Sequence, residues 1–107
     1  MRIAVSDSGP LIHLAAVNQF DLLRLYFVNL IVPSQVYAEV SEQRSGQPGS
    51  REINQGITAD WITVADLQNI DQTTTLVNRG LTWTDACVIA LAQERQIPLI
   101  SDDREVR

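Results

Sequence analysis

Between Thr82 and Asp103 the sequence admits one reading, a buried helix followed at once by a short strand. Ala86, Ile89, Ala90 and Gln93 fall at helical spacing, and Val88, Leu91 and Ala92 fill the adjoining face, so the helix is apolar most of the way round. A surface helix has no use for that pattern. Thr82 or Thr84 can cap its first turn. After Gln96 the run Ile97-Pro98-Leu99-Ile100-Ser101 is too short for a helix and carries a proline where a strand would start. Carboxylates sit at both ends of the unit: Asp85 in the first helical turn, Asp102 and Asp103 just past the strand. Acids at the ends of a buried helix and strand suit a metal site.

The rest of the chain supplies partners for that unit. Arg2–Ser6 reads as a short buried strand ended by Asp7, and Ser8-Gly9-Pro10 opens a helix with Leu11, Ile12, Leu14 and Ala15 on its apolar face. His13 lies among them and is expected as a core or boundary histidine, with no second histidine to form a zinc set. A second short helix spans Phe20 to Phe27, and Val28–Val32 is a strand. Pro33-Ser34 starts a helix in which Val36, Tyr37 and Val40 form a stripe with Glu39 beside it. Ser45–Ser50 is rich in Gly and Pro and reads as a surface loop, the best candidate for a flap. Arg51–Asp60 is a weak helix interrupted by Gly56. Trp61–Val64 is a third strand, and Asp71–Arg79 is a polar helix ended by Gly80. Strands alternating with helices predict βαβ units: a single domain over 1–107, a three-layer α/β/α fold around a mainly parallel sheet of about four strands.

Composition narrows the chemistry. None of the apolar runs approaches the ~18 residues of a membrane span, and the amino terminus meets Asp7 too soon for a signal peptide. The single Cys87 lies in the buried helix as a small core residue, which predicts a reducing, cytoplasmic setting. A net charge of −5 argues against bulk attraction to nucleic acid or anionic membranes, unless several acids are gathered and neutralised by metal. All eight basic residues are arginine, a side chain suited to bidentate phosphate contacts and equally at home on a solvated surface.

Open parallel sheets place their sites beyond the carboxyl ends of the strands, where strand order reverses. Asp7 ends the first strand, and Asp102 and Asp103 end the last. If those strands are neighbours their acids converge, and Glu39 and Asp85 can join from helices. Each acid has a plainer role: Asp7 and Asp85 as helix N-terminal residues, Asp102 and Asp103 as turn caps, Glu39 as a solvated helix residue. Together they would repel one another unless a divalent cation is present, and Mg²⁺ or Mn²⁺, hard and oxygen-preferring, fits such a set.

The ordered acids, with the segments around them, resemble a PIN domain over essentially the whole chain. The resemblance rests on Val5-Ser6-Asp7-Ser8-Gly9-Pro10-Leu11-Ile12-His13-Leu14 and Val32-Pro33-Ser34-Gln35-Val36-Tyr37-Ala38-Glu39-Val40. It rests equally on Asp85-Ala86-Cys87-Val88-Ile89-Ala90-Leu91-Ala92 and Leu99-Ile100-Ser101-Asp102-Asp103. It implies an endoribonuclease that cleaves single-stranded RNA with water activated by carboxylate-held Mg²⁺ or Mn²⁺, often the toxin of a toxin–antitoxin pair with an antitoxin protein as partner. By motif position Asp7, Glu39 and Asp85 are the first three acids and Asp103 the fourth, with Asp102 the alternative. Ser8 and Ser101 match hydroxyl positions that support the acids. The resemblance also implies a further strand and helix after the fourth acid, where this sequence has four more residues. On that reading the chain is a shortened form with an open sheet edge, and a homodimer is expected to cover it.

Other acid-rich α/β folds fit less well. A phosphoryl-acceptor receiver domain needs a lysine near its acids, and the sequence has none. Haloacid-dehalogenase-type phosphatases need Asp-x-Asp where Asp7 is followed by Ser8-Gly9, and a P-loop needs a Gly-Lys turn. The rival of a different class is an inactive PIN-like module that binds nucleic acid or protein without cleaving.

Overall fold

Four short apolar segments form the strands, and each of the first three is followed by a helix-bearing connection that returns the chain to lie parallel in the same sheet. The computed structural model describes residues 2–43, 45–68 and 70–101. β1 (Ile3–Ser6) lies between β2 (Asn29–Pro33) and β4 (Leu99–Ile100), and β3 (Ile62–Ala65) flanks β2. All pairings are parallel, with Val5 opposite Ile31 on one side and Leu99 on the other, and Leu30 opposite Ile62. The strand order is β3-β2-β1-β4, so the direction of winding reverses beside β1. The first and last strands are therefore neighbours.

The helices are α1 (Ser8–Ala16), α2 (Asp21–Tyr26), α3 (Ser34–Tyr37), α4 (Ser50–Thr58), α5 (Asp71–Asn78) and α6 (Trp83–Arg95). α3 runs directly into a π-helical segment, Ala38–Gln43. α1 and α2 lie in the connection from β1 to β2, α3 and α4 in that from β2 to β3, and the return from β3 to β4 carries α5 and α6. α6 packs against β1, β2 and β4, as its sequence requires: Ala86, Cys87, Val88, Ala90, Leu91 and Ala92 are all buried. Burial of Leu91 alone contributes roughly 1.5–3 kcal/mol. The helix ends where Gln96 turns left-handed (φ 57°), letting the Ile97 N–H reach the Ala92 carbonyl at 3.1 Å and aiming the chain into β4.

Two sequence expectations need correction. His13 is exposed on α1, not part of the core, because the buried position of that turn belongs to Leu11. Gly56 does not interrupt its helix: α4 is continuous from Ser50 to Thr58, with Gly56 buried inside it. The missing side chain is a packing requirement, since a Cβ at Gly56 would stand 2.3 Å from Ile62 Cδ1. Composition alone cannot separate a glycine that breaks a helix from one that lets it approach a strand. Among the described residues, none of the helices is long and apolar enough to cross a membrane.

Candidate active site

The parallel register brings the carboxyl ends of β1 and β4 together, and Asp7 is the first residue beyond that end. Its N–H donates to the Ile100 carbonyl at 3.0 Å, which ties it to β4. Its side chain caps α1: Oδ1 accepts the Ser8 N–H at 2.8 Å. Oδ2 accepts the Ser101 hydroxyl at 3.1 Å. Asp7 is 4% exposed. Burial pushes its carboxyl above the ordinary value; the two hydrogen bonds pull it down, and the charges of Asp85 and Glu39 raise it again. The cost of burying this charge is therefore only partly met by its donors.

Glu39 comes from the π-helical segment. Widened turns of this kind occur often where a helix presents a functional side chain. Val36 and Val40 stay fully buried on either side of it, so the backbone is anchored while Glu39 is partly exposed. The segment is braced from outside by α4. The Asn54 amide donates to Ser41 Oγ and to the Ser50 carbonyl, both at 2.9 Å, and accepts the Tyr37 hydroxyl at 2.8 Å. Ser50 Oγ also donates to the Ser41 carbonyl at 3.4 Å.

Asp85 is the third residue of α6. Thr82 caps this helix, its Oγ1 accepting the Asp85 N–H at 3.2 Å, and the helix dipole favours a carboxylate at that position. Asp7, Ser8, Gly9, Glu39, Thr82, Thr84 and Asp85 line one pocket of about 440 Å³. Three of the sequence-predicted acids thus face a common space. Ser8 reaches Asp7 through its backbone N–H and Ser101 through its hydroxyl. Asp102 and Asp103 lie outside the described residues. Thr84, read from sequence only as an alternative cap, is a pocket residue. Its signal was its place directly before Asp85.

Among the described residues no three His, Cys, Asp or Glu side chains are grouped closely enough to hold an ion among themselves. The acids form an open arrangement across the pocket. That suits a hard cation such as Mg²⁺, which takes one or two carboxylates and fills its remaining positions with water and phosphate oxygen. It does not suit zinc, whose sites are built chiefly on histidine and cysteine, neither of which lines this pocket. Cys87 is buried in α6, and burial pushes its thiol up, as for an inert core residue.

Comparison with known proteins agrees with this architecture. No curated protein matches the sequence. One chain of a toxin–antitoxin complex from Klebsiella pneumoniae superposes with a TM-score of 0.72 at 18% identity, over 94% of this chain and 86% of that one. A crystal structure of a Pyrobaculum aerophilum protein gives a TM-score of 0.70 at 23% identity, over 99% and 77% of the two chains. These likenesses are in fold. A family model described as a PIN domain matches residues 3–107, and with the parallel sheet, the strand order and the acid-lined pocket on β1 it shows that the chain belongs to the PIN-domain family.

Proposed function

We propose that this chain is a single-domain endoribonuclease that uses Mg²⁺ or Mn²⁺ to hydrolyse single-stranded RNA, with Asp7, Glu39, Asp85 and Asp103 or Asp102 as its acids. The observation that carries the reading is the shared pocket of Asp7, Glu39 and Asp85, in which the neighbouring charges help to raise the Asp7 carboxyl. Such mutual repulsion is costly in an empty site and is relieved by a cation. A bound divalent ion would supply Lewis acidity, activating water and offsetting the charge that develops on the phosphodiester. Asp7 would be the central ligand, held in orientation by Ser8 and Ser101. Glu39, from the π-helical segment, and Asp85, from α6, would contribute further oxygens. Thr82 fixes the turn that carries Asp85.

The fold shared with a chain of a toxin–antitoxin complex supports a further reading as the toxin of such a pair, with an antitoxin protein as partner. A homodimer in a cytoplasmic setting belongs to the same proposal.

The direct test is cleavage of a single-stranded RNA in Mn²⁺ by the wild type and by Asp85→Asn. Loss of cleavage in the variant is expected; cleavage that survives it contradicts the assignment. A milder effect is expected at Ser101. Ser101→Ala removes a donor that lowers the Asp7 carboxyl and fixes its orientation. Activity or metal affinity should fall roughly 10–100-fold, as for other groups that orient a ligand, and the melting temperature in chelator should fall modestly, because a buried carboxylate loses a donor. Steady-state rates over a Mn²⁺ series would measure it.

A further inference from the structure

None of the described residues lining the acid pocket is Lys, Arg or His. A divalent cation carries less charge than the pocket's three carboxylates, and a phosphodiester adds a further negative charge. The anion must then be held in part by neutral hydrogen-bond donors. Two candidates are already engaged: the Ser8 N–H on Asp7 Oδ1, and Thr82 Oγ1 on the Asp85 N–H.

Thr84 is not. It lines the pocket, half-buried, as the second residue of α6. A threonine within a helix can turn its hydroxyl back to the carbonyl four residues earlier. Thr58, Thr74 and Thr75 do so, donating to the Asn54, Ile70 and Asp71 carbonyls at 3.1, 3.4 and 3.2 Å. Thr84 has no such outlet, because the position four residues back is Gly80, before α6 begins. Its hydroxyl makes no hydrogen bond with any described residue. It is a free donor beside the acids, at the N-terminal end of a 13-residue helix whose dipole favours an anion.

We infer that the Thr84 hydroxyl donates a hydrogen bond to a non-bridging oxygen of the phosphate held at the acids. The inference rests on the nuclease reading and deepens it, naming a side chain that binds substrate without ligating the cation. A neutral donor brings no positive charge to compete with the cation for the carboxylates. It also orients the diester over the acids, so its loss costs rate as well as affinity.

Thr84→Val keeps the shape and removes the donor, whereas Thr84→Ser keeps the donor. Thermal unfolding is followed in chelator, in Mg²⁺, and in Mg²⁺ with inorganic phosphate, and RNA cleavage is measured in Mn²⁺. In chelator Thr84→Val should melt close to the wild type, since no bond within the protein is lost. Mg²⁺ alone should raise both proteins equally. Added phosphate should raise the wild type and Thr84→Ser further and leave Thr84→Val nearly unmoved. Cleavage should fall roughly 10–100-fold in Thr84→Val, the worth of a hydrogen bond to a charged group, and return in Thr84→Ser.

An equal phosphate increment in wild type and Thr84→Val, no increment in either, or loss of the Mg²⁺ rise in Thr84→Val overturns the inference. The nuclease reading fails separately. A Thr84-dependent phosphate increment without any metal-dependent cleavage by the wild type would leave the anion contact standing and remove the catalysis. Cleavage lost in Asp85→Asn but unchanged in Thr84→Val would do the reverse.

Discussion

Asp7→Asn is expected to abolish RNA cleavage and, in protein stripped of metal, to raise the melting temperature. The two effects have opposite signs because one group serves the site at the expense of the fold. Asn keeps the shape and the bonds: its Oδ1 can accept the Ser8 N–H, and its amide can donate to the Ser101 hydroxyl. What goes is a negative charge that burial, Asp85 and Glu39 all disfavour. The folded-state pKa of Asp7 is raised, so the folded chain binds its proton more tightly than the unfolded chain. The wild type should then gain stability from this group as pH falls from neutrality through the raised pKa toward the ordinary carboxylate range. Below the unfolded value the gain is complete. Asp7→Asn should lack that component, and the difference between the two proteins, by calorimetry in chelator, isolates it from the other carboxylates. Cleavage should drop at least ~100-fold, since loss of a group that merely orients a ligand already costs up to that much.

Gly56→Val should be the most damaging substitution outside the site. A Cβ there meets Ile62 Cδ1 at 2.3 Å, Ile62 Cγ1 at 2.7 Å and Trp61 Cε2 at 3.2 Å. Neither neighbour has room to retreat: Ile62 is 2% exposed, and Trp61 packs on Phe20 beneath the Arg24 guanidinium, 6.0 Å from the ring. Gly→Ala in a helix gains about 1 kcal/mol of propensity, while overpacking a full core costs typically about 1–3. Alanine should therefore come out between neutral and mildly destabilising. Valine adds two more methyl groups and should cost about 3 kcal/mol, which in a domain of this size is a fall of roughly 12–24 °C. Thermal unfolding of the pair measures it. A Gly56→Ala protein markedly more stable than wild type would mean that α4 does not lie against β3 as described. The consequence reaches the site, because α4 carries the Asn54 bonds that brace the segment presenting Glu39.

Where local pattern and tertiary role agree, the sequence was readable. The buried helix through Ala86 and Leu91, the strand ends at Asp7 and Ile100 and the parallel sheet follow from periodicity and from proline and glycine positions. Residues whose role depends on a distant partner were harder. His13 has apolar neighbours in sequence, yet it stands two residues after Leu11, on the side of α1 turned away from the core, while Ile12, Leu14 and Ala15 pack against it. The π-helical turn at Glu39 has no periodic signature, since it is held by Asn54 and Ser50 from another helix. Asp7, Glu39 and Asp85, which line one pocket, were legible as candidates from their order along the chain, not because any one of them is distinctive.

The proposal that the pocket lined by Asp7, Glu39 and Asp85 takes a divalent cation, with water and phosphate completing its shell, is tested most directly by thermal unfolding against Mn²⁺. An ion that binds only the folded state raises the melting temperature in step with its concentration above Kd. The account predicts a saturable rise for the wild type, with Mg²⁺ giving the same direction, and no rise for Asp7→Asn, which starts from the higher metal-free value. A wild-type melting temperature that does not move at millimolar Mn²⁺, or an equal rise in Asp7→Asn, would contradict it.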